Sequence, residues 1–364
     1  MEIDDEFSKK MLRRRLATGS HLLHVRKRLL DHVRLQEKCA HGINGEVTAM
    51  IRAIINHLFA FTLLSLLAVS SAPAAERVSI ATPSRGLFEF PVVVATRKGF
   101  YKDEGIDVDK VQMQPALGVK ALISGDIDYL LAWGSALRAA VTGVPIKNVV
   151  GIAHRPLHVL VARSTIQSAK DLRNKVIGVD SVAGTVDYLS RVAVRHFGME
   201  PDKDVKIIVT GESPTRLAAL RSGAIDATPI DVAFAVKAED EGFKRLVYLG
   251  DLIELPLSGM AVTDHKLQTQ RDQVRRVVRA TVRGTRYFKQ NRNETVLMLA
   301  DYLKITPAQA ARAYDTSLNS FSDDGMISDK GVNLDVQLTK ERLKMTKDIP
   351  LSQLVDWSLV REIK

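Results

Sequence analysis

An internal repeat constrains this chain more than any other feature. The run Ala121-Leu122-Ile123-Ser124-Gly125-Asp126-Ile127-Asp128 recurs 98 positions later as Ala219-Leu220-Arg221-Ser222-Gly223-Ala224-Ile225-Asp226. The same offset aligns residues 77–81 with 175–179, Gly86 with Gly184, Glu89 with Asp187, Phe90 with Tyr188 and Arg97 with Arg195. Solenoid repeats run to roughly 20–50 residues, so a unit of this size is a domain, and the chain is expected to fold as two similar lobes. Each unit parses alike. An apolar strand (78–81; 176–179) meets a glycine-containing loop, then come an amphipathic helix (89–98; 185–197) and a strand (106–113; 205–209). A helix stopped by glycine (117–124; 215–222), a brief strand (127–132; 225–228) and another helix (135–142; 231–241) complete the unit. Strands alternating with helices imply parallel βαβ units with right-handed crossovers. Ser135 and Asp231 stand where helices begin, and Gly125, Gly143, Gly223 and Gly242 where they stop.

After Gly259 the pattern changes to helices alone: residues 272–289, 294–303 and 307–317, with Thr306 ahead of Pro307 marking a helix start. A turn at Asp323-Asp324-Gly325 precedes a last helix near 330–345. Lacking strands of their own, these helices are expected to cover the first lobe.

The front end reads as targeting. From Met50 a short basic start (Arg52) leads to an apolar stretch over residues 53–69 and then to Ser70, Ser71, Ala72, Pro73, Ala74 and Ala75, the order of a secretory signal peptide. Seventeen apolar-region residues that include Asn56 and His57 suit a cleaved signal better than a span across about 30 Å of hydrocarbon. The expected organisation is a leader of doubtful translation (1–49), a signal peptide (50–75), a first lobe (76–161), a second lobe (162–256) and a return segment (257–364). Periplasmic location follows from that signal.

Charge and cysteine usage narrow the function. Lys and Arg total 52 against 42 Asp and Glu; residues 1–75 hold 11 basic and 7 acidic side chains, leaving 41 and 35 for the rest. That small excess is spread without runs, so nucleic acid is not an expected partner. The single cysteine, Cys39, excludes a disulfide framework and any multi-thiolate metal site. His154, His158, His196 and His265 show no HExxH-like spacing, and no GxSxG, GxxxxGK[ST] or strand-following GxGxxG motif occurs after residue 76. No catalytic residue, metal or cofactor is expected, and a binding protein is favoured over an enzyme.

Ligands of open α/β sheets sit at the carboxyl ends of strands. The candidate contacts are therefore Ser84, Arg85, Gly86 and Phe88 after the first strand, and Ser181, Val182, Ala183, Gly184 and Thr185 after its repeat partner. Trp133, Gly134 and Ser135 follow the third strand, Asp231 takes the matching place in the second unit, and His154 follows the strand near 148–153. Each has an alternative reading: Ser181, Thr185 and Asp231 as helix caps, Gly184 as a turn residue, Trp133 as core, His154 as an inter-lobe structural residue, Phe88 as a hydrophobic staple, and Arg85 as a solvated residue paired with Glu89.

The span from Arg77 to about Glu362 resembles the periplasmic solute-binding components of nitrate/taurine/alkanesulfonate-type ABC importers. The likeness rests on Gly99-Phe100-Tyr101-Lys102-Asp103-Glu104-Gly105-Ile106-Asp107-Val108, on residues 122–128, on Ser168-Ala169-Lys170-Asp171-Leu172 with residues 175–179, on the second Gly-x-Ile-Asp at 223–226, and on a tail containing Asp356-Trp357-Ser358. It implies a type II periplasmic binding protein fold: two similar doubly wound α/β lobes joined by a two-stranded hinge, with crossings near 158–164 and 255–262 and a C-terminal helical segment on the first lobe. It also implies capture of a small organic solute, an anion in one version, and delivery by a monomer to an inner-membrane ABC permease with its ATPase. A secreted ligand-sensing receptor of the same fold and a secreted hydrolase with a dispersed triad are the alternatives. Thiamine-precursor synthases of the same superfamily carry a cysteine-rich motif that residues 76–364 lack.

Overall fold

The repeat builds two five-stranded mixed sheets, one in each lobe. The computed structural model describes residues 50, 52–57 and 75–363. Residues 52–57 are helical; the rest of the expected leader and signal peptide lies outside the described residues. Among the described residues no helix is long and apolar enough to cross a membrane.

In the first sheet β1 (Glu76–Thr82) lies between β2 (Ile106–Gln112) and β3 (Tyr129–Leu130), all parallel, and β10 (Ser258–Thr263) runs antiparallel between β3 and β4 (Ile146–Ala153). The second sheet repeats that order. Its β6 (Val176–Val179) lies between β7 (Lys206–Val209) and β8 (Ala227–Asp231), and β5 (His158–Ala162) is the antiparallel strand between β8 and β9 (Lys244–Tyr248). The repeated Gly-x-Ile-Asp explains part of this symmetry. Gly125 and Gly223 end their helices at φ +83° and +79°, the left-handed conformation in which glycine has no Cβ clash. The aspartate three residues on then accepts a backbone N–H of the first strand of its repeat unit, Asp128 from Ser79 at 2.8 Å and Asp226 from Val176 at 2.9 Å.

The chain passes between the lobes earlier than the sequence suggests. Residues 158–162 pair with β8 and β9, so they belong to the second sheet, and β10 at 258–263 belongs to the first. The crossings are therefore the links at residues 154–157 and 252–257, and the expected boundary at 161/162 moves to the first of them. The two apolar strands β4 and β5 are separated by only His154-Arg155-Pro156-Leu157, too little for local pattern to say which sheet each joins.

Helices fill both faces: α1 (Phe90–Arg97), α2 (Phe100–Asp103), α3 (Pro115–Ser124) and α4 (Trp133–Val141) in the first repeat, α5 (Thr185–His196), α6 (Ser213–Ser222) and α7 (Val232–Asp240) in the second. The return segment adds α8 (Asp264–Thr269), α9 (Arg271–Gln290), α10 (Arg292–Leu303), α11 (Pro307–Ser317), α12 (Asp329–Leu343) and α13 (Ser358–Arg361). On α9, Val274, Val277, Val278, Thr281, Val282, Thr285 and Phe288 form one buried stripe at helical spacing. It crosses α1 at Gly284, where a Cβ would stand 2.4 Å from the Pro91 carbonyl oxygen.

The expected cover on the first lobe is only part of what these helices do. α11, started by a capping box of Thr306 and Gln309, packs on α7 of the second lobe. There the Arg312 guanidinium donates to the Val236 carbonyl at 3.0 Å and to Asp240, and Gln309 donates to Asp240 at 2.7 Å. α12 packs on α4 and sets Leu334 and Leu338 against the apolar cluster of the second lobe.

Candidate functional site

The carboxyl ends of four strands enclose a cavity of about 610 Å³ between the lobes. The first lobe contributes Pro83, Ser84, Arg85, Gly86 and Phe88 after β1, and Gln112, Gln114 and Pro115 at the end of β2. From the second lobe come Glu212, Ser213 and Pro214 after β7, and Asp231, Ala233, Phe234 and Lys237 where β8 runs into α7. Leu303 and Ile305, in the turn between α10 and α11, close one side.

Local packing holds these groups in place. Phe88 sits in a short 3-10 turn (Leu87–Glu89), and its carbonyl accepts the Ser258 hydroxyl at 2.8 Å. Its ring lies so close over Gly86 that a Cβ there would be 2.8 Å from two ring carbons. Next to it, the fully buried Glu89 carboxylate accepts the Tyr302 hydroxyl and the Lys110 ammonium, the latter at 3.1 Å. That network ties the end of α10 to β2, and with it the placement of Leu303. Burial and the Glu89 charge push the Tyr302 hydroxyl pKa up.

Arg85 does not pair with Glu89. Its guanidinium lies 5.0 Å from the Tyr302 ring centroid and reaches the Tyr302 carbonyl only at 3.5 Å. It also borders a smaller recess of about 440 Å³ on the other side, with Arg97, Lys110 and Lys304.

In the second lobe the buried Arg216 shapes the wall. It donates to the Pro229 carbonyl at 3.3 Å, to the Ser213 hydroxyl at 3.0 Å and to the Gly211 carbonyl, fixing the loop before α6 against β8. Asp231 caps α7 by accepting the Ala233 N–H at 2.8 Å. Burial pushes its carboxyl up to about 6, against the opposing pull of that hydrogen bond. Opposite it in the β5–β8 register stands His158, whose imidazole is drawn down to about 4 by burial and then by the nearby Arg216 charge.

The sequence-derived candidates divide. Ser84, Arg85, Gly86, Phe88 and Asp231 meet at this cavity; the others lie elsewhere. Trp133 is fully buried, stacks on Trp357 with centroids 6.2 Å apart, and donates its indole N–H to Asp335 at 2.9 Å. It is a core residue, and Gly134 and Ser135 follow it into α4, where the Ser135 hydroxyl accepts from Arg138. His154 lies on the first crossing, its N–H on the Ser320 carbonyl, with burial holding its imidazole below the ordinary range. Ser181, Val182 and Ala183 are exposed, Val182 at 79%. Their loop satisfies itself, since Ala183 at φ +54° gives its N–H to the buried Asp187, Gly184 follows as the cap, and Thr185 opens α5.

Gln112, Gln114, Pro115, Glu212, Ser213, Pro214, Phe234, Lys237, Leu303 and Ile305 were not singled out by the sequence. One signal for four of them exists in the repeat itself, whose offset aligns Gln114 with Glu212 and Pro115 with Ser213. Among the described residues no group of three or more His, Cys, Asp or Glu is placed to hold a metal ion.

The NMT1/THI5-like family matches residues 89–295, more than half of the chain. The chain belongs to that family. A curated relative, the riboflavin-binding protein RibY of Chloroflexus aurantiacus, is 28% identical over 237 residues, 60% of this chain. The chain spans 64% of RibY's length, just under two thirds. Among solved structures, the periplasmic aliphatic sulphonate binding protein SsuA of Escherichia coli superposes with a TM-score of 0.60 at 16% identity, over 78% of this chain and 92% of its own. The periplasmic nitrate-binding protein NrtA of Synechocystis PCC 6803 does so with a TM-score of 0.60 at 15% identity, over 80% and 89%. These likenesses show the fold, that of the two-lobed periplasmic binding proteins, as the order of the two sheets leads one to expect.

Proposed function

We propose that this protein is the extracytoplasmic solute-binding component of an ABC importer, capturing a small organic solute between its lobes and handing it to an inner-membrane permease with its ATPase. The observation that carries this reading is the cavity itself, which takes its walls from strand ends of both lobes and has the size of a small-molecule site. Membership of the NMT1/THI5-like family supports it, and so does the likeness to RibY, SsuA and NrtA, three binding proteins. In this reading the protein is exported through a cleaved signal over residues 50–75, works as a monomer, and binds without converting its solute.

Equilibrium dialysis against riboflavin, alkanesulfonates, nitrate and organic acids, followed by chromatographic recovery, tests the proposal. One solute retained at one molecule per chain and recovered unaltered is the expected result. Conversion of the retained solute would replace the proposal with an enzymatic one, and retention of none would remove it.

A further inference from the structure

Resting on that reading, the chemistry of the cavity walls says what kind of solute fits. Phe88 of the first lobe and Phe234 of the second are half-buried rings that border the cavity from opposite sides. Pro83, Pro115, Pro214, Leu303 and Ile305 add apolar surface between the polar side chains of the wall. Two amides, Gln112 and Gln114, supply donors and acceptors together, the pairing that the edge of a lactam or amidine ring presents in reverse.

The charged groups argue against an anion. Arg85 and Lys237 are matched within the same cavity by Glu212 and Asp231. Both carboxylates stand at helix N-caps, Glu212 on α6 and Asp231 on α7, so each positive helix end already has a negative group of its own. Asp231 also consumes the Ala233 N–H. Proline removes further donors, with Pro115 in the first turn of α3 and Pro214 in the first turn of α6. A small oxyanion is held best by net positive charge, and the formal charges of this wall, two basic and two acidic, sum to zero.

We infer that the cleft takes an uncharged, flat ring solute with a polar edge, held between Phe88 and Phe234, and discriminates against simple anions.

Calorimetry on the full chain with matched probes tests this: lumichrome, adenine and benzamide as neutral rings, against benzoate, ethanesulfonate and nitrate. At least one neutral ring is expected to bind with one site per chain, at least tenfold more tightly than any anion. Phe88→Leu and Phe234→Leu should each weaken that binding by roughly tenfold in chains that still unfold cooperatively. An anion as the tightest probe, with affinity lost in Arg85→Gln or Lys237→Gln, would overturn the ring assignment and leave the solute-binding reading standing. Binding of none of the probes would also overturn the ring assignment. Native mass spectrometry of solute carried through purification judges the wider reading separately: a retained solute of any other class keeps it and again removes this one.

Discussion

The two halves of the inter-lobe cleft come from the same repeated sequence and end differently. By the offset of the repeat, Trp133 and Asp231 are equivalent, each following the third strand of its unit and opening a helix. Asp231 borders the cavity, whereas Trp133 is sealed into the core between Asp335 and Trp357. Likewise the loop with Ser84 and Arg85 forms a wall, while its counterpart at residues 181–184 stays at the surface. The repeats do not make this difference. The return segment does: its α10–α11 turn walls one half, and α12 lies against α4 in the other, holding Trp133 and touching the second lobe through Leu334 and Leu338. One unpaired segment has turned a nearly symmetric frame into a one-sided site.

Truncating the equivalent residues should show that asymmetry at its largest. Trp133→Ala removes a fully buried indole and leaves Asp335 without its donor, so denaturant unfolding should report a loss of about 3–5 kcal/mol. Asp231→Ala, at the matching place, should cost about 1 kcal/mol through the lost cap. Equal losses would end the claim that only one of the pair is structural.

A second pair of equivalents is Gly118 and Arg216. Gly118 lets Leu130 pack where a Cβ would stand 2.7 Å from its methyl carbon; Arg216 instead spans the Gly211 and Pro229 carbonyls. Arg216→Ala leaves buried carbonyls unpaired and should cost about 1–3 kcal/mol, with weaker solute binding as the Ser213 loop loosens. Normal affinity in that variant would show that Arg216 does not set the wall.

Acid titration sharpens the contrast further. Asp231 and Asp335 both titrate near 6 in the folded chain, above the ordinary carboxylate value of 3.8, so each bound proton favours the folded state. Their contribution is complete below about 4 and is lost as pH rises through about 6. His158 acts in the opposite direction: its folded value of about 4 lies below the ordinary 6.5, so stability falls as pH drops from 6.5 towards 4. With two carboxyls set against one imidazole, the parent's unfolding midpoint should rise as pH falls through that window. Asp231→Asn should flatten that rise by leaving one carboxyl against His158, and Asp335→Asn should do the same from the other half of the cleft. The smallest effect belongs to the surface, where Arg312→Ala, which breaks the link between α11 and α7, should cost only about 0–1 kcal/mol.

How far the sequence reveals this follows from which interactions are local. The repeat, the glycine stops at Gly125 and Gly223, the Thr306–Pro307 start and the two βαβ units are legible because caps and periodicity act within a few residues. The crossings are not, since sheet membership of β4 and β5 depends on partners a hundred residues away. The cavity wall is legible at Ser84–Phe88 and Asp231 because the loops of open sheets gather at strand ends. It is obscured at Trp133 and Ser181–Thr185 because strand ends lie in both halves of the cleft and only the return segment decides which half stays open.

Filling each half of the cleft in turn is the most direct test of the account. Ser213→Trp places a large ring in the open half, and Val182→Trp places one on the exposed loop of the other. Solute affinity should fall by at least a hundredfold in Ser213→Trp and change less than threefold in Val182→Trp, measured by calorimetry with the solute that dialysis identifies. Unimpaired binding in Ser213→Trp, or loss confined to Val182→Trp, would contradict the placement of the site.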